Sequence, residues 1–400
     1  MTDISHRFSL SQIDHHELLE ILTLRYVTCW RVSEDKISFP ASHDYRLQLK
    51  MRHGQIKKIS AGESLSEQEL NELLEQVEAD LKDNRIAEYG AEILFARRPV
   101  TGAFRFTSIP MQILPPPPEA SLPPNMSADH PFVLEYPLQC SQTPQVRYLR
   151  RRKNAVEWAW VLNALLYGSI KYSGSRPRQM WAIQSRESNF VPFWAQEFYT
   201  VPGFRAFTSI LSAQGDPLPV VPADSYFGDD KARANLPIDM FFLPDNFDLL
   251  VGAFLNLDSD SRRRFLRSAA AIYMAGELWE VSISSCFLAC AQAIETLVDR
   301  PSATPCPTCG KDSGPGPTQL FRRFVETYCQ SGDVDQRVVQ NLYSVRSDLA
   351  HGRYLFQFDE APFAFNLGAT IASDNELEMS RSALTLAKEG ARNWLLSQTN

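Results

Sequence analysis

The spacing of apolar positions differs between the two ends of the chain. In the first part of the chain it favours strands mixed with helix. Residues 45–51 alternate between apolar and polar side chains, and Gly54 separates them from the segment 56–59, a pattern typical of a β-hairpin. Ser66 stands three residues before Glu69, the spacing of a capping box, and apolar positions then recur every three or four residues. We therefore predict a surface helix at 64–83 and a second hairpin at 92–106 that turns at 99–102.

Prolines and a basic run follow this mixed part. The prolines between 110 and 129 cannot continue a helix or an inner strand, so that stretch is predicted to be an extended linker or exposed loop. Next comes a dense basic run before a predicted helix whose Trp158 and Trp160 we assign to the core. The run is either a solvated helix start or a patch that contacts RNA phosphates. The residues that would contact RNA are Arg150, Arg151, Arg152 and Lys153. Residues 173–243 show no clear period.

From Asp258 onward the apolar positions follow a helical period. Helices are predicted at 261–274, 282–297, 319–328, 334–350 and 373–396, with a loop at 300–316. Helices of this length pack as a compact bundle. The predicted fold class is α+β, with a mixed α/β domain at 1–110, a proline-rich linker at 111–129, a mixed region of unknown function at 130–257 and an all-α helical domain at 258–400.

Composition narrows the possible partners and the expected location. The 400 residues are 44% hydrophobic and 22% charged with a net charge of -7, so a nucleic acid would have to meet a local basic patch. No apolar run of about 18 residues predicts a membrane span, and the first residues do not resemble a signal peptide. We expect a cytoplasmic protein that does not bind membranes, and its seven cysteines agree with that location.

The segment 341–352 carries the clearest candidate chemistry. Arg346 offers a permanently charged, planar fork of donors that suits phosphate, and His351 can exchange a proton near neutral pH. Gly352 is the residue expected just past a helix end, which would leave His351 at the C-terminus of the fourth predicted helix. RNA cleavage by the ribose 2'-OH needs a base, an acid and a cation, and no metal. The alternative is that both residues have structural roles only: Arg346 pairs with Asp348, and His351 caps helix carbonyls.

This segment resembles the R-x4-H signature of the HEPN superfamily, and residues 346–352 resemble its Apea-like branch. Residues 262–269, 287–297 and 391–395 resemble the first, second and last helices of that branch, so the likeness covers about the last 140 residues. It implies a metal-independent endoribonuclease that leaves 2',3'-cyclic phosphate ends, in a setting such as defence against phage or toxin action. It also implies a homodimer in which two copies of the motif share one cleft.

The resemblance assigns roles to single residues. Arg346 would stabilise phosphate, His351 would act as acid or base, and Glu295 on the second helix would orient Arg346. Many active members carry Asn, Asp or His after the arginine, whereas this chain has Ser347, a weaker hydrogen-bonding residue. Tyr343 either lines the cleft or packs in the core.

Cys306 and Cys309 form a C-x2-C knuckle in the loop at 300–316. Such a pair supplies half of a tetrahedral zinc site, and the alternative is a knuckle that binds nothing. We expect no cofactor for catalysis and keep a structural zinc open.

Two functions remain after these arguments. The first is a ribonuclease acting on RNA, with the N-terminal region sensing a trigger or binding a partner protein. The second is a non-catalytic RNA- or protein-binding module that only dimerises.

Overall fold

The structure is a computed structural model with strands mainly in the first half of the chain and helices mainly in the second. It describes residues 2–8, 10, 14–26, 29–33, 35–39, 46–52, 55–82, 86–118, 129–141, 143–172, 204–228, 230–233, 236, 237, 239–279, 281–299, 315–329, 336–360 and 367–399. The predicted α+β class is confirmed.

The chain forms two compact units, and each is built from several segments. The first contains Met1–Gly90, Pro137–Asn154 and Phe207–Ile210, and the second contains Ala91–Tyr136, Ala155–Ala206 and Leu211–Asn400. We expected domains that follow one another along the chain, whereas both units are discontinuous in sequence.

The strands and helices alternate up to the middle of the chain. Their bounds are β1 (Thr2–Asp3), a 3-10 turn (Ser5–Arg7), α1 (His15–Tyr26), β2 (Trp30–Ser33), β3 (Lys36–Phe39), β4 (Leu47–Arg52), β5 (Gln55–Ala61), α2 (Glu67–Lys82), β6 (Ile86–Ala96), β7 (Phe104–Arg105), β8 (Gln112–Leu114), β9 (His130–Cys140), α3 (Pro144–Leu165), β10 (Ile170–Lys171) and β11 (Phe207–Thr208).

The remaining elements are mostly helical. They are β12 (Val220–Val221), α4 (Ala223–Phe227), α5 (Asp230–Arg233), β13 (Leu243–Pro244), α6 (Phe247–Leu255), α7 (Ser259–Leu278), α8 (Ile283–Leu297), α9 (Pro317–Tyr328), α10 (Gln336–Ala350), α11 (Gln357–Glu360) and α12 (Leu367–Ser397).

The first unit contains a five-stranded antiparallel sheet in the order β1-β5-β4-β3-β2. The first predicted hairpin is confirmed as β4 and β5, since Leu47 and Leu49 point into the core while Gln48 and Lys50 alternate with them. The predicted helix is α2, and its capping box forms, because Ser66 N donates to Glu69 Oε2 at 3.0 Å and Glu69 N donates to Ser66 Oγ at 3.3 Å.

The second predicted hairpin is wrong. In the second sheet, ordered β10-β6-β9-β8-β7, strand β6 lies between β10 and β9, so it offers no free edge to β7. Strand β7 pairs with β8 instead, and Phe104 lies opposite Ile113. The predicted turn runs alongside another segment, because Ala103 forms a bridge with Pro217.

The predicted proline-rich linker is wrong at its start. Residues 112–114 form strand β8, and all three side chains are buried. The prolines follow directly after this strand, at positions where no ladder hydrogen bond is needed from them. Residues 119–128 of the linker lie outside the described residues.

The C-terminal helices form the predicted bundle. Helices α7, α8, α9, α10 and α12 correspond to the five predicted from the apolar period, and α6 and α11 were not predicted. Asp258 caps α7 by accepting hydrogen bonds from two backbone N–H groups, and Ser282 accepts one at the start of α8. Phe265, Phe287 and Trp394 are among the largest side chains buried between them.

Within the described ranges, none of the helices combines the length and apolar character needed to cross a membrane.

Candidate functional site

Helix α10 ends where the sequence predicted, directly before His351. Gly352 adopts a left-handed conformation with φ 65°. Its N–H donates to Leu349 O at 3.1 Å, and Arg353 N donates to Asp348 O at 3.0 Å. These two bonds form a Schellman motif, which stops the helix and turns the chain away from it. His351 therefore stands directly after the last residue of the helix and is exposed.

Arg346 is held by the residue expected to orient it. Its Nη2 lies 2.9 Å from Glu295 Oε2 on α8, and the two side chains are 30% and 24% exposed. The guanidinium also lies 5.9 Å from the centre of the Tyr343 ring. The ion pair and the ring restrict the guanidinium while leaving part of it open to solvent.

The alternative pairing of Arg346 is not observed. Asp348 binds Arg353 at 2.6 Å, on the solvent side of the helix end. Ser347 is half-buried, and its carbonyl accepts a hydrogen bond from His351 N at 3.0 Å. Tyr343 packs on Phe321 with ring centres 5.5 Å apart. It therefore contacts the helical bundle on one side and Arg346 on the other.

The segment that follows the motif is tied to the start of α8. Phe356 is buried against Phe287, and its N–H donates to Ser284 Oγ at 2.9 Å. The Asp359 carboxylate accepts hydrogen bonds from Ile283 N at 3.0 Å, Ser284 N at 2.6 Å and Ser282 Oγ at 3.0 Å. Sequence reasoning missed Asp359, because a carboxylate that caps a helix 75 residues away leaves no local pattern.

Helices α7, α8 and α9 line an open cavity of about 950 Å³ beside Glu295. Three arginines, Arg264, Arg267 and Arg323, contribute to its lining together with Glu295. Arg264 binds Asp299 at 2.7 Å, whereas Arg267 and Arg323 are exposed and have no charged partner in the described part of the chain. Sequence reasoning assigned no role to these arginines, although Arg264 and Arg267 are spaced to share a helix face.

The basic run of the first unit is largely engaged in internal contacts. Arg150 forms an ion pair with Glu17, and Lys153 forms one with Asp14. The Arg151 guanidinium lies 5.4 Å from the centre of the Phe207 ring. Arg152 also has a partner within the protein. The charges of Arg150 and Lys153 are thus balanced locally. This favours the interpretation of the basic run as a helix start rather than as a patch that contacts RNA.

The cysteine knuckle, Cys306 and Cys309, lies outside the described residues. Within the described ranges, no three His, Cys, Asp or Glu side chains come together in a way that could hold a metal ion. Cys329, the next cysteine along the chain, is half-buried beside α12, and burial raises the pKa of its thiol.

Comparisons with family models, with curated proteins and with solved structures each found no match to this chain.

Proposed function

We propose that the helical part of this protein is a metal-independent endoribonuclease of the HEPN type, with Arg346 and His351 as its reacting groups. The observation that supports it best is the Arg346–Glu295 ion pair at 2.9 Å. It fixes a partly exposed guanidinium five residues before an exposed imidazole at a helix end. A phosphodiester can approach both groups from solvent.

The chemistry needs only groups of this kind. The ribose 2'-oxygen attacks the adjacent phosphorus while an imidazole takes its proton, and the bond to the 5'-oxygen breaks as an imidazolium protonates that oxygen. The Arg346 guanidinium stabilises the negative charge that builds on the phosphorane. The products are a 2',3'-cyclic phosphate and a 5'-hydroxyl.

The two proton transfers favour two copies of the chain. One His351 cannot be both deprotonated as base and protonated as acid in a single step, whereas two copies can divide these roles. Tyr354, Leu355 and Phe358, directly after the motif, are 38%, 49% and 47% exposed. An exposed apolar cluster of this kind suits burial in an interface, so we assign it to a homodimer that brings two motifs together.

The cavity beside Glu295 offers a place for the rest of the RNA. Arg267 and Arg323 present exposed guanidiniums there, and such groups bind phosphates bidentately. This cavity replaces the basic run of the first unit as our proposed contact surface for the RNA backbone. The resemblance adds a setting of defence against phage or toxin action, with a trigger sensed elsewhere in the chain.

One observation favours the second function, a dimeric module that binds RNA or protein without cutting it. The charge of Arg346 is already balanced by Glu295, which weakens its pull on a phosphate. Ser347 also supplies less hydrogen-bonding capacity than the residues that active members usually carry.

The test uses the purified full chain, a labelled single-stranded RNA and excess EDTA. We expect cleavage by the wild type and its loss in His351→Ala and Arg346→Gln. His16→Ala and Arg322→Gln are matched controls, since both residues are exposed and stand outside the site. Tight RNA binding without cleavage by the folded wild type would favour the second function, and equal cleavage by His351→Ala would contradict the first.

A further inference from the structure

The open cavity beside Glu295 has polar and aromatic side chains in addition to the arginines that we assign to the RNA backbone. It lies among α7, α8 and α9 within the second unit, and its volume is about 950 Å³. Small-molecule sites in proteins span about 300–1,000 Å³, so a space of this size exceeds what a phosphate group alone needs. It has room for the base and the ribose of one nucleotide.

Helix α8 connects this cavity to Arg346. Gln292 and Glu295 stand at positions i and i+3 of that helix, so their side chains share one face, and both line the cavity. The Glu295 carboxylate also holds the Arg346 guanidinium at 2.9 Å. One side chain thus separates the cavity from the group that we assign to the scissile phosphate. A nucleotide next to that phosphate comes within reach of Gln292.

The Gln292 side chain can match the edge of a base. It is exposed, and in the described ranges its amide has no hydrogen-bond partner. An amide offers a hydrogen-bond donor and an acceptor in one plane. Base edges present donors and acceptors in patterns that differ among the four bases, so one amide pairs well with some of them and poorly with others. A good bidentate pair discriminates against the wrong base by roughly tenfold or more.

Tyr328 offers a surface on which a base can stack. Its ring lines the cavity and is half-buried, and Phe324 packs against it with ring centres 4.8 Å apart. The Tyr328 carbonyl oxygen accepts a hydrogen bond from Asn393 Nδ2 at 2.8 Å, which ties this end of α9 to α12. Bases of unpaired RNA stack on aromatic rings, whereas bases in a duplex are already stacked and paired.

Arg267 and Arg323 reach the same cavity from two different helices, α7 and α9, and both are exposed. Their guanidiniums suit the phosphates on either side of a bound nucleotide, and contacts of this kind carry no information about the base. The cavity thus combines the groups that recognise an unpaired nucleotide, namely an aromatic ring, an amide and cations for the phosphates.

We propose that this cavity holds one unpaired nucleotide of the RNA next to the scissile phosphate, and that Gln292 sets its base preference. Tyr328 stacks on the base, Gln292 pairs with its edge, and Arg267 and Arg323 bind the flanking phosphates. This role of the cavity rests on the proposed ribonuclease for the identity of the ligand, and it adds a sequence preference to that function.

The test measures RNA binding separately from cleavage, by fluorescence anisotropy with the full-length His351→Ala variant. The ligands are labelled hexanucleotides of A, of C, of U and of alternating G and U. We expect the preferred RNA to bind about tenfold more tightly than the weakest. A fully paired duplex of the preferred sequence should bind at least about tenfold more weakly than the single strand, because its bases must first unpair.

Further substitutions in this variant assign the binding to the cavity. Gln292→Ala should remove the base preference, while Gln214→Ala, the same change at an exposed position outside the cavity, should leave it intact. Arg323→Gln should weaken the binding of all four RNAs alike by about tenfold, because this residue contacts phosphate. Its control is Arg322→Gln, the adjacent residue of α9, which does not line the cavity. Circular dichroism establishes that each variant is folded, and Arg267→Gln replaces Arg323→Gln if the latter does not fold.

Equal binding of the four RNAs would overturn this role of the cavity, as would a base preference that survives Gln292→Ala. A duplex that binds as tightly as the single strand would overturn it as well. Binding and cleavage fail separately. A Gln292-dependent preference in a protein that leaves RNA intact would support the cavity and contradict the ribonuclease, whereas cleavage by a wild type without such a preference would contradict the cavity alone.

Discussion

Arg346 reaches solvent from a fixed position because one carboxylate on the neighbouring helix holds it. Surface arginines sample many rotamers, and Glu295 removes most of that freedom here. The two side chains are 30% and 24% exposed, so the ion pair contributes little to the free energy of unfolding. Its main effect is to orient the Arg346 guanidinium.

Replacing Glu295 by Gln should separate these two effects. We expect the free energy of unfolding to change by less than about 1 kcal/mol, because partly exposed ion pairs contribute little. The rate of RNA cleavage should fall about tenfold, since the guanidinium loses its alignment. Glu378→Gln, which breaks the exposed pair with Arg381, is the control and should alter neither. A Glu295→Gln enzyme with unchanged cleavage would show that this carboxylate positions nothing.

Lys388 should make stability depend on pH near neutrality. Burial lowers its pKa from 10.5 to about 7, partly offset by the Cys290 thiol and reinforced by Arg392. The unfolded chain keeps this proton between pH 7 and 10.5 while the folded chain releases it, so stability rises with pH in that window.

The measurement compares chemical denaturation of wild type and Lys388→Met at pH 6, 7, 8 and 9 in buffers free of phosphate. The variant lacks this group, so the wild type should gain stability relative to it only above about pH 7. A constant difference across this range would mean that Lys388 keeps its ordinary pKa in the fold.

The residue types of the site could be predicted from the sequence, but not all of their contacts. Arg346, His351 and Gly352 lie within about two helical turns, so their spacing alone places them at the same helix end. The contact with Glu295 came from a resemblance and not from any local pattern. Asp359 reaches the start of α8 only through the fold, and the fold alone brings Arg323 to the cavity that Arg264 and Arg267 line. Nothing adjacent to these residues in sequence indicates either contact.

The helix caps hold in place the elements that bear the site residues. Asp359 closes the N-terminus of α8, and α8 carries Glu295 near its other end. The same carboxylate fixes the chain that leaves His351, because Phe356 and α11 are held against that helix start.

Asp359→Ala should therefore destabilise the bundle by about 1–2 kcal/mol, the usual cost of a lost helix cap. Chemical denaturation measures this change. Asp359→Asn keeps acceptor oxygen at the cap and should recover part of the loss. Asp260→Ala, an exposed carboxylate in the first turn of α7, is the control and should cost less. Equal stability of Asp359→Ala and wild type would contradict the capping role.

Elements with a strong local period could be predicted, and those defined by distant partners could not. The bundle helices and the β4–β5 hairpin follow directly from apolar spacing and turn residues. Helix α6 is apolar over most of its surface and five of its residues are buried, so it shows no amphipathic period. Strands β7 and β8 are two and three residues long, which is too short to show an alternation of apolar and polar side chains.

At the scale of the whole molecule, the proposed mechanism requires a second copy of the chain. The exposed side chains of Tyr354, Leu355 and Phe358 are the surface that we assign to it. The division into compact units could not be predicted, because 137–154 and 207–210 return to the first unit from far along the chain.

Leu355→Glu should convert a dimer into a monomer and abolish RNA cleavage, since a charge buried in an apolar interface costs several kcal/mol. Sedimentation velocity measures the oligomeric state. Leu249→Glu changes another exposed apolar residue, 60% exposed on α6, and should leave both properties unchanged. A wild type that is monomeric at concentrations where it cuts RNA would contradict the shared site.

The proposed ribonuclease breaks the bond between phosphorus and the 5'-oxygen, and His351 exchanges the protons of that step. Mass spectrometry of RNA fragments produced in excess EDTA reads the new ends directly. We expect 2',3'-cyclic phosphate and 5'-hydroxyl ends with wild type and no such ends with His351→Ala. Fragments that carry 5'-phosphate ends, or intact RNA after incubation with the folded wild type, would contradict it.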